Sequence, residues 1–468
     1  MIILGTNSIK DTGFDVANSC RFNSGSSDYL NNTSVASVTN RLKFTISLWV
    51  KRSTLGAKSM IGTVGGDSSN FGAIWFDSSD RLNCTEGSGG GTLNFITNRV
   101  FRDVSAWYNI ILAIDTTQGT ESNRVKIYVG GVQETSFSTS TYPSQNSNMH
   151  LNRGGKTQYI GRHTDSSNNY YFDGYMTEVV WVDGQQLSNT DLGEFDSDSG
   201  IWKPIDVSGL TFGNNGFYLD FEDSSALGND AAGSNNFTVN NLTAVDQSID
   251  TCTNNFPTLN PLNYSSASKT YSFGNTAITA SATNTWCSTF SNFAVNSGKW
   301  YTEYFISDMS YLSAIGVGYQ PFNTNTSAYA GGTILVGEDV GSAGWRNNGA
   351  AVHSYSGSSL SSWSTNDTLM IAIDMDNQKL YFGKNGTWEN SGNPASGASG
   401  TGSVKDLTAG EDYLFVICPR GGGMSVNFGA PSHSISSGNT DANGYGNFEY
   451  AVPSGYFSLN TKNLAENS

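Results

Sequence analysis

The feature that most constrains this chain is an alternation of period two. In Phe44–Val50 the residues Phe44, Ile46, Leu48 and Val50 alternate with Thr45, Ser47 and Trp49. Successive side chains of a strand point to opposite faces, so this predicts a half-buried β-strand. Trp107–Asp115 is more continuously apolar and predicts a central strand. Val125–Val129 runs into Gly130-Gly131 and then Val132-Gln133-Glu134. Two glycines accept positive φ at both turn positions, which predicts a hairpin. The later half repeats the device in Leu369–Asp374, Lys379–Phe382, Lys384-Asn385-Gly386 and Thr387-Trp388. Leu112-Ala113-Ile114-Asp115 and Ile371-Ala372-Ile373-Asp374 each precede a Lys-x-Tyr strand and a glycine turn. Two related sandwiches account for this, as do two draws from one short β vocabulary. No heptad run occurs, and the one helix candidate is the short turn opened by Ser188 as N-cap.

Composition agrees. Only 14% of residues are charged, with 53 Gly, 22 Tyr and 10 Trp. That mix suits short strands and tight turns, and its aromatic content is too high for disorder. The fold class read from the sequence is all-β: two tandem β-sandwich (jelly-roll) domains joined by an ordered connector. A net charge of −16 would repel a phosphate backbone, so nucleic acid is not an expected partner. Five single cysteines (Cys20, Cys84, Cys252, Cys287, Cys418) form no CxxC pair, and their simplest reading is free, mostly buried thiols. The start, MIILGTNSIKDTGFD, lacks a signal peptide's charged and apolar regions, and no segment approaches the ~18 apolar residues of a membrane span. An extracellular-type composition without a secretion signal fits a virion protein made in the host cytoplasm and released by lysis.

Two stretches carry a family resemblance. Ile160-Gly161-Arg162, then Tyr171-Phe172-Asp173-Gly174-Tyr175-Met176-Thr177-Glu178-Val179, and on through Leu187-Ser188, resembles a concanavalin A-like (laminin-G-like) jelly roll. The second begins at Gly298-Lys299-Trp300-Tyr301-Thr302-Glu303. It continues through Ile315-Gly316-Val317-Gly318, Asn366-Asp367, Met370–Phe382 and Lys384–Trp388, and closes on Val426-Asn427-Phe428-Gly429. This ordered series resembles a SPRY domain. The implied organisation is an N-terminal extension at 1–17, a concanavalin A-like sandwich at 18–195, a connector packed on it at 196–264, a SPRY-like sandwich at 265–430 and a C-terminal segment at 431–468. Such a pairing looks like virion proteins of marine tailed phages. Trp300 and Tyr381, on strand-like segments, are expected to pack between sheets.

Catalytic motifs are not found. The four histidines (His150, His163, His353, His433) accompany no G-x-S-x-G elbow and no HExxH. The nearest carboxylate pair, Asp220 and Glu222, falls in the connector. The chain is therefore not expected to be an enzyme. Asp77, Asp80, Asp196 and Asp198 are the candidates for a rim Ca²⁺ site, with solvated turn carboxylates as the preferred reading and no other cofactor implied. The live expectation is binding, in which aromatic faces stack on sugar rings and amides bond hydroxyls, on loops of a rigid scaffold. Asn168, Asn169, Tyr170 and Tyr171 are one candidate rim cluster, and Trp345, Arg346, Asn347, Tyr355 and Trp363 a second. The expected function is a phage structural and adhesion protein, of tail-fibre or head-decoration type, at the virion surface. It would meet other virion proteins and a host-surface glycan, assemble as a homo-oligomer, and insert into no membrane. A purely architectural virion protein and, more remotely, a glycan-cleaving jelly roll are the alternatives.

Overall fold

A computed structural model describes residues 12–64, 71–87, 92–164, 169–262, 269–281, 286, 288–319, 335–337, 341–352 and 359–467. The chain is all-β and divides into two compact units, Asp11–Thr253 and Asn254–Ser468. Among the described residues the α-helices are two short ones, Glu121–Arg124 and Thr461–Asn467, neither able to cross a membrane.

The first unit holds two eight-stranded antiparallel sheets. One runs Val132–Gln133, Val125–Val129, Trp107–Asp115, Lys43–Arg52, Gly174–Asp183, Ser19–Phe22, Gln247–Ser248, with Phe217–Leu219 also paired to Gly174–Asp183. The facing sheet runs Phe137–Thr141, Leu93–Val100, Arg81–Glu86, Phe71–Phe76, Lys58–Val64, Thr157–Ile160, Tyr29–Thr33, Thr238–Asn240. Phe44, Ile46, Leu48 and Val50 project from the first sheet and meet Met60, Ile61, Ile74, Phe76 and Phe95 from the second, forming one core. The alternation thus sets the register, but the half-buried expectation for this strand needs correction: Trp49, Thr45 and Ser47 on its other face are buried too. The reason is tertiary. The chain after the last long strand returns across that outer face as a belt. Its Leu192, Val207, Phe212 and Tyr218 pack on Ile111, Tyr128, Val180 and Val182. Its Asp250 pairs with Lys51 at 2.8 Å, both groups buried.

The second unit repeats this plan with a nine-stranded sheet built around Gly422–Asn427, Lys299–Asp308, Thr368–Asp374 and Lys379–Lys384. It faces a five-stranded sheet ordered Thr289–Val295, Tyr413–Pro419, Ser313–Tyr319, Ser342–Arg346, Ala351–Val352. Trp300, Tyr304, Ile371 and Phe382 meet Phe293, Ile315, Trp345 and Phe415 between them. Trp300 lies in the core as expected, but Tyr381 does not. It stands opposite Ala372, which stands opposite Tyr301 on the next strand, and all three face away from the core. There they are covered by Phe448 and Tyr456 of the following segment.

Both hairpins form where the turn chemistry places them. Gly130 and Gly131 have φ of 56° and 76°, and Asn385 and Gly386 have 49° and 82°. The strand-ending aspartates also play one role in both units: Asp115 pairs with Lys43 (3.2 Å) and Asp374 with Lys299 (3.0 Å), each directly across from it in the ladder.

Candidate functional site

The groups best arranged to meet a ligand lie on the outward face of the first unit's facing sheet. Leu30 and Ile160, neighbours across two strands, point into the core. Period two therefore sends Tyr29 and Tyr159 outward. Gly161 follows with φ of 79°, and a side chain there would run into Phe22. This turn lets the chain fold back as the hairpin Arg162–Thr164 and Asn169–Tyr171. The hairpin packs over Gly62 of the neighbouring strand, where a Cβ would sit 3.0 Å from His163 Nδ1 and 3.3 Å from Arg162 O. Bare backbone at Gly62 is what makes room for it.

The result is a guanidinium set among phenol rings. Arg162 Cζ lies 4.6 Å from the ring centroid of Tyr29, 5.0 Å from Tyr159 and 5.6 Å from Tyr171. Arg162 Nη2 donates to Asn169 Oδ1 at 2.7 Å. Tyr29 is 6.0 Å from Tyr159 and 6.1 Å from Tyr171, centre to centre. Beside them Tyr170 stacks on His163 (6.1 Å, 16° between planes), and His163 packs on Phe71. All three tyrosines and Arg162 keep part of their surface in solvent. Such a platform offers apolar ring faces held rigid by a cation, next to amide and hydroxyl groups.

Of the first sequence cluster, Asn169, Tyr170 and Tyr171 come together here, and Asn168 lies outside the described residues. Tyr29, Tyr159, Arg162 and His163 were missed. Their signal was present in the alternation around Leu30 and Ile160, but nothing local says that the Tyr29 and Tyr159 strands are neighbours.

The second cluster comes apart. Trp345 is fully buried, stacks on Phe382 at 5.7 Å, and donates its indole N–H to Ser361 O. Trp363 is buried beside it at 6.3 Å. Both belong to the core, Trp345 because the strand that turns Arg346 outward must turn it inward. Arg346 lies 5.7 Å from the Trp286 ring centroid, on the outward side. Asn347 is spent on a turn, with its Oδ1 accepting from Ser313 N. Tyr355 lies outside the described residues.

The proposed calcium ligands are also spent. Asp77 accepts from the backbone of Ser79 and Arg81 and from the Arg81 side chain. Asp80 accepts from Gly56 N and from Arg52 and Arg102. Burial works to raise the pKa of both, but these donors outweigh it and hold both carboxyls below their ordinary value. Asp196 accepts from Ser199 N and Oγ and from Asp198 N and lies near Lys203, and these bonds pull it to about 2. Asp198 is exposed on that turn. Asp77, Asp80 and Asp196 thus have both carboxylate oxygens engaged by guanidinium, ammonium or amide donors, while Asp198 does not. Among the described residues no cluster of three or more His, Cys, Asp or Glu could hold a metal. Asp220 accepts from Glu222 N within one turn, and Glu222 is exposed, so the two close a bend and do not flank a cleft. Cys20 and Cys84 are buried free thiols, Cys252 is a partly buried one, Cys418 is buried with its Sγ accepting from Ser288 Oγ, and Cys287 lies outside the described residues.

One buried acid was not anticipated. Glu178, at a bulge with φ of 51°, accepts from Tyr218 Oη on the belt at 2.8 and 2.9 Å. Burial drives its pKa up to about 8.

Residues 24–191 match the family model described as the concanavalin A-like lectin/glucanases superfamily. No curated protein matches the chain. Solved structures similar to it include a putative carbohydrate binding protein from Bacteroides ovatus (17% identity, 48% of this chain and 59% of that one, TM-score 0.33). A SAP-like pentraxin from Limulus polyphemus (12%, 38% and 80%, 0.29) and the SPRY domain of human HERC1 (13%, 36% and 96%, 0.26) are others.

Proposed function

We propose that this chain is a non-enzymatic adhesion protein whose first unit binds glycans through the Tyr29, Tyr159, Tyr171 and Arg162 platform. The observation that carries this reading is the set of three part-exposed phenol rings around one guanidinium, with Asn169 bonded to it. Ring faces take the C–H side of a sugar, and the tyrosine hydroxyls and Asn169 take its hydroxyls. The match of residues 24–191 to a superfamily named for lectins as well as glucanases is consistent with it. The setting we infer is the virion surface of a tailed phage, where a homo-oligomer held among other virion subunits multiplies weak contacts into avidity. Two domains in tandem, concanavalin A-like and SPRY-like, with the belt segment counted to the first, complete this reading.

The architectural alternative is favoured by one observation. Phe195 and Ile201, on one hairpin, are 49% and 37% exposed, as expected of a protein-contact patch. The deciding experiment is a glycan array and host-cell binding assay with the full chain displayed at high density, with and without EDTA. Binding that is lost in Arg162→Ala and insensitive to EDTA supports the proposal. Failure of the folded wild-type chain to bind any glycan or cell rejects it and leaves the architectural reading. Loss on EDTA moves the site to a cation that the platform does not contain.

A further inference from the structure

The first unit has a second concave feature, at the open edge of its sandwich. The chain passes from one sheet to the other here, from Val132–Gln133 through Glu134, Thr135 and Ser136 to Phe137–Thr141. These are the edge strands of the two sheets, and between them the core is not closed over. A cleft of about 230 Å³ remains. Its floor is core: Val125, Ile127 and Phe95. Its walls are aromatic, with Phe137 and Tyr142 set edge-to-face on Phe95 at 5.1 and 4.8 Å between centroids. Its rim is polar and uncharged apart from Glu134: Ser122, Thr135 and Ser140. Ser140 stands opposite Phe95 in the ladder and so faces inward. Glu134 is held at the lip, Oε1 accepting from Ser136 N and Oε2 lying 3.2 Å from Arg99 Nε.

These features select a ligand class. The volume exceeds the ~150 Å³ that holds a benzene ring and falls below the ~300 Å³ at which pockets for larger ligands begin. That is room for one substituted six-membered ring. Aromatic walls and an apolar floor favour an apolar ring face, and three hydroxyl groups at the rim favour a ligand that carries hydroxyls of its own. Glu134 at the lip, in a chain of net charge −16, disfavours an anion, and its own cation is already supplied by Arg99. We propose that the cleft is a binding site for a single neutral hexopyranose, separate from the tyrosine platform. The Leu93–Val100 and Thr157–Ile160 strands lie four positions apart in the sheet, which puts the two features roughly 19 Å apart. The proposal stands on the cleft alone and does not need the platform to bind anything.

The test is saturation-transfer NMR on the full chain with free glucose, galactose, mannose and N-acetylglucosamine, followed by titration of whichever responds. The expected result is transfer to ring C–H protons from at least one neutral sugar and none from glucuronate. In the Arg162→Ala background, which removes the platform, Ser140→Trp, which fills the cleft from an exposed strand position, should abolish the remaining signal with an unchanged melting temperature. Tyr142→Ala should weaken binding about tenfold, the loss of roughly one aromatic contact of 1.4 kcal/mol. Arg162→Ala should leave the signal intact. No transfer from any of the four sugars overturns the proposal, as does a signal that survives in the folded Arg162→Ala, Ser140→Trp double variant. A signal lost in Arg162→Ala but kept in Ser140→Trp assigns sugar binding to the platform and likewise overturns it.

Discussion

Both units face one problem and solve it differently. Each has a sheet whose outer face is apolar enough to need cover, and in each a segment following the sandwich strands supplies it. In the first unit two buried acids tie the cover to the sheet through side chains, beside backbone bonds such as Asn215 N to Asp183. Lys51 pairs with Asp250, which also accepts from the Trp107 indole, and Glu178 accepts from Tyr218. In the second it is fixed by side chains meeting backbone. Glu303 takes the amide N–H groups of Glu449 and Tyr450, and Asp441 takes those of Asn443, Tyr445 and Ser458. Amide donors stabilise the ionised carboxylate, whereas a phenol in an apolar setting leaves desolvation dominant. Accordingly Glu178 rises to about 8, while burial raises Glu303 against two opposing amide bonds and a phenol bond from Tyr301. The lesson is that burying an acid under a returning segment is workable either way, but the two ways respond differently to pH.

The comparison can be pressed by mutation. The largest effect should come from a core residue that belongs to neither anchoring scheme. Trp345→Ala should cost the second unit about 3–5 kcal/mol, read by denaturant titration. A cost under ~1 kcal/mol would return Trp345 to the surface. Next comes the ion pair. Lys51→Ala takes the ammonium from a buried Asp250 and should cost toward the lower end of ~3–5 kcal/mol. The double change Lys51→Met with Asp250→Leu should recover most of that, because an apolar pair needs no solvation. If the double variant is as unstable as the single one, shape and not charge holds the belt.

The pH behaviour separates the two anchors more finely. A carboxyl whose pKa is raised on folding binds its proton more tightly in the native state. Its stabilisation is complete below the unfolded value of 4.5 and is lost as pH rises through about 8. Wild type should therefore lose stability across that window, and Glu178→Gln should flatten the loss in melts recorded at stepped pH. Glu303→Gln should flatten it in the same direction and less, since the amides already favour its charged form. Equal flattening by both would erase the distinction drawn above. The smallest effect on stability belongs to the platform. Arg162→Ala should change unfolding by no more than ~1 kcal/mol, the worth of an exposed cation–π contact, while glycan binding by the platform is lost. A large drop in melting temperature would make Arg162 a structural residue.

Much of this was legible before any coordinate. The period-two runs, the Gly-Gly and Asn-Gly turns and the strand-ending aspartates gave the all-β class, both hairpins and the central strands, because these depend on backbone geometry and local side-chain chemistry. The Asn-Tyr-Tyr hairpin was legible as a candidate because Asn beside adjacent tyrosines is an unusual local composition. Its partners Tyr29 and Tyr159 were not, since their meeting requires the pairing of strands far apart in sequence.

What the sequence by itself determined, then, is which residues alternate and where the chain turns. What only the tertiary structure decided is which faces are covered. A strand pattern names two faces but does not say whether a later segment will return over the second one. For that reason Trp49 is buried, Tyr381 lies under Phe448 and Tyr456 instead of between sheets, and Trp345 sits in the core while Arg346 beside it turns outward. Carboxylates follow the same logic. Asp77, Asp80 and Asp196 read as solvated turn carboxylates, or as rim ligands, until the fold brings arginines, a lysine and amide donors to them. Local chemistry fixes what a side chain can do, and the contacts that close the chain on itself fix what remains for it to do.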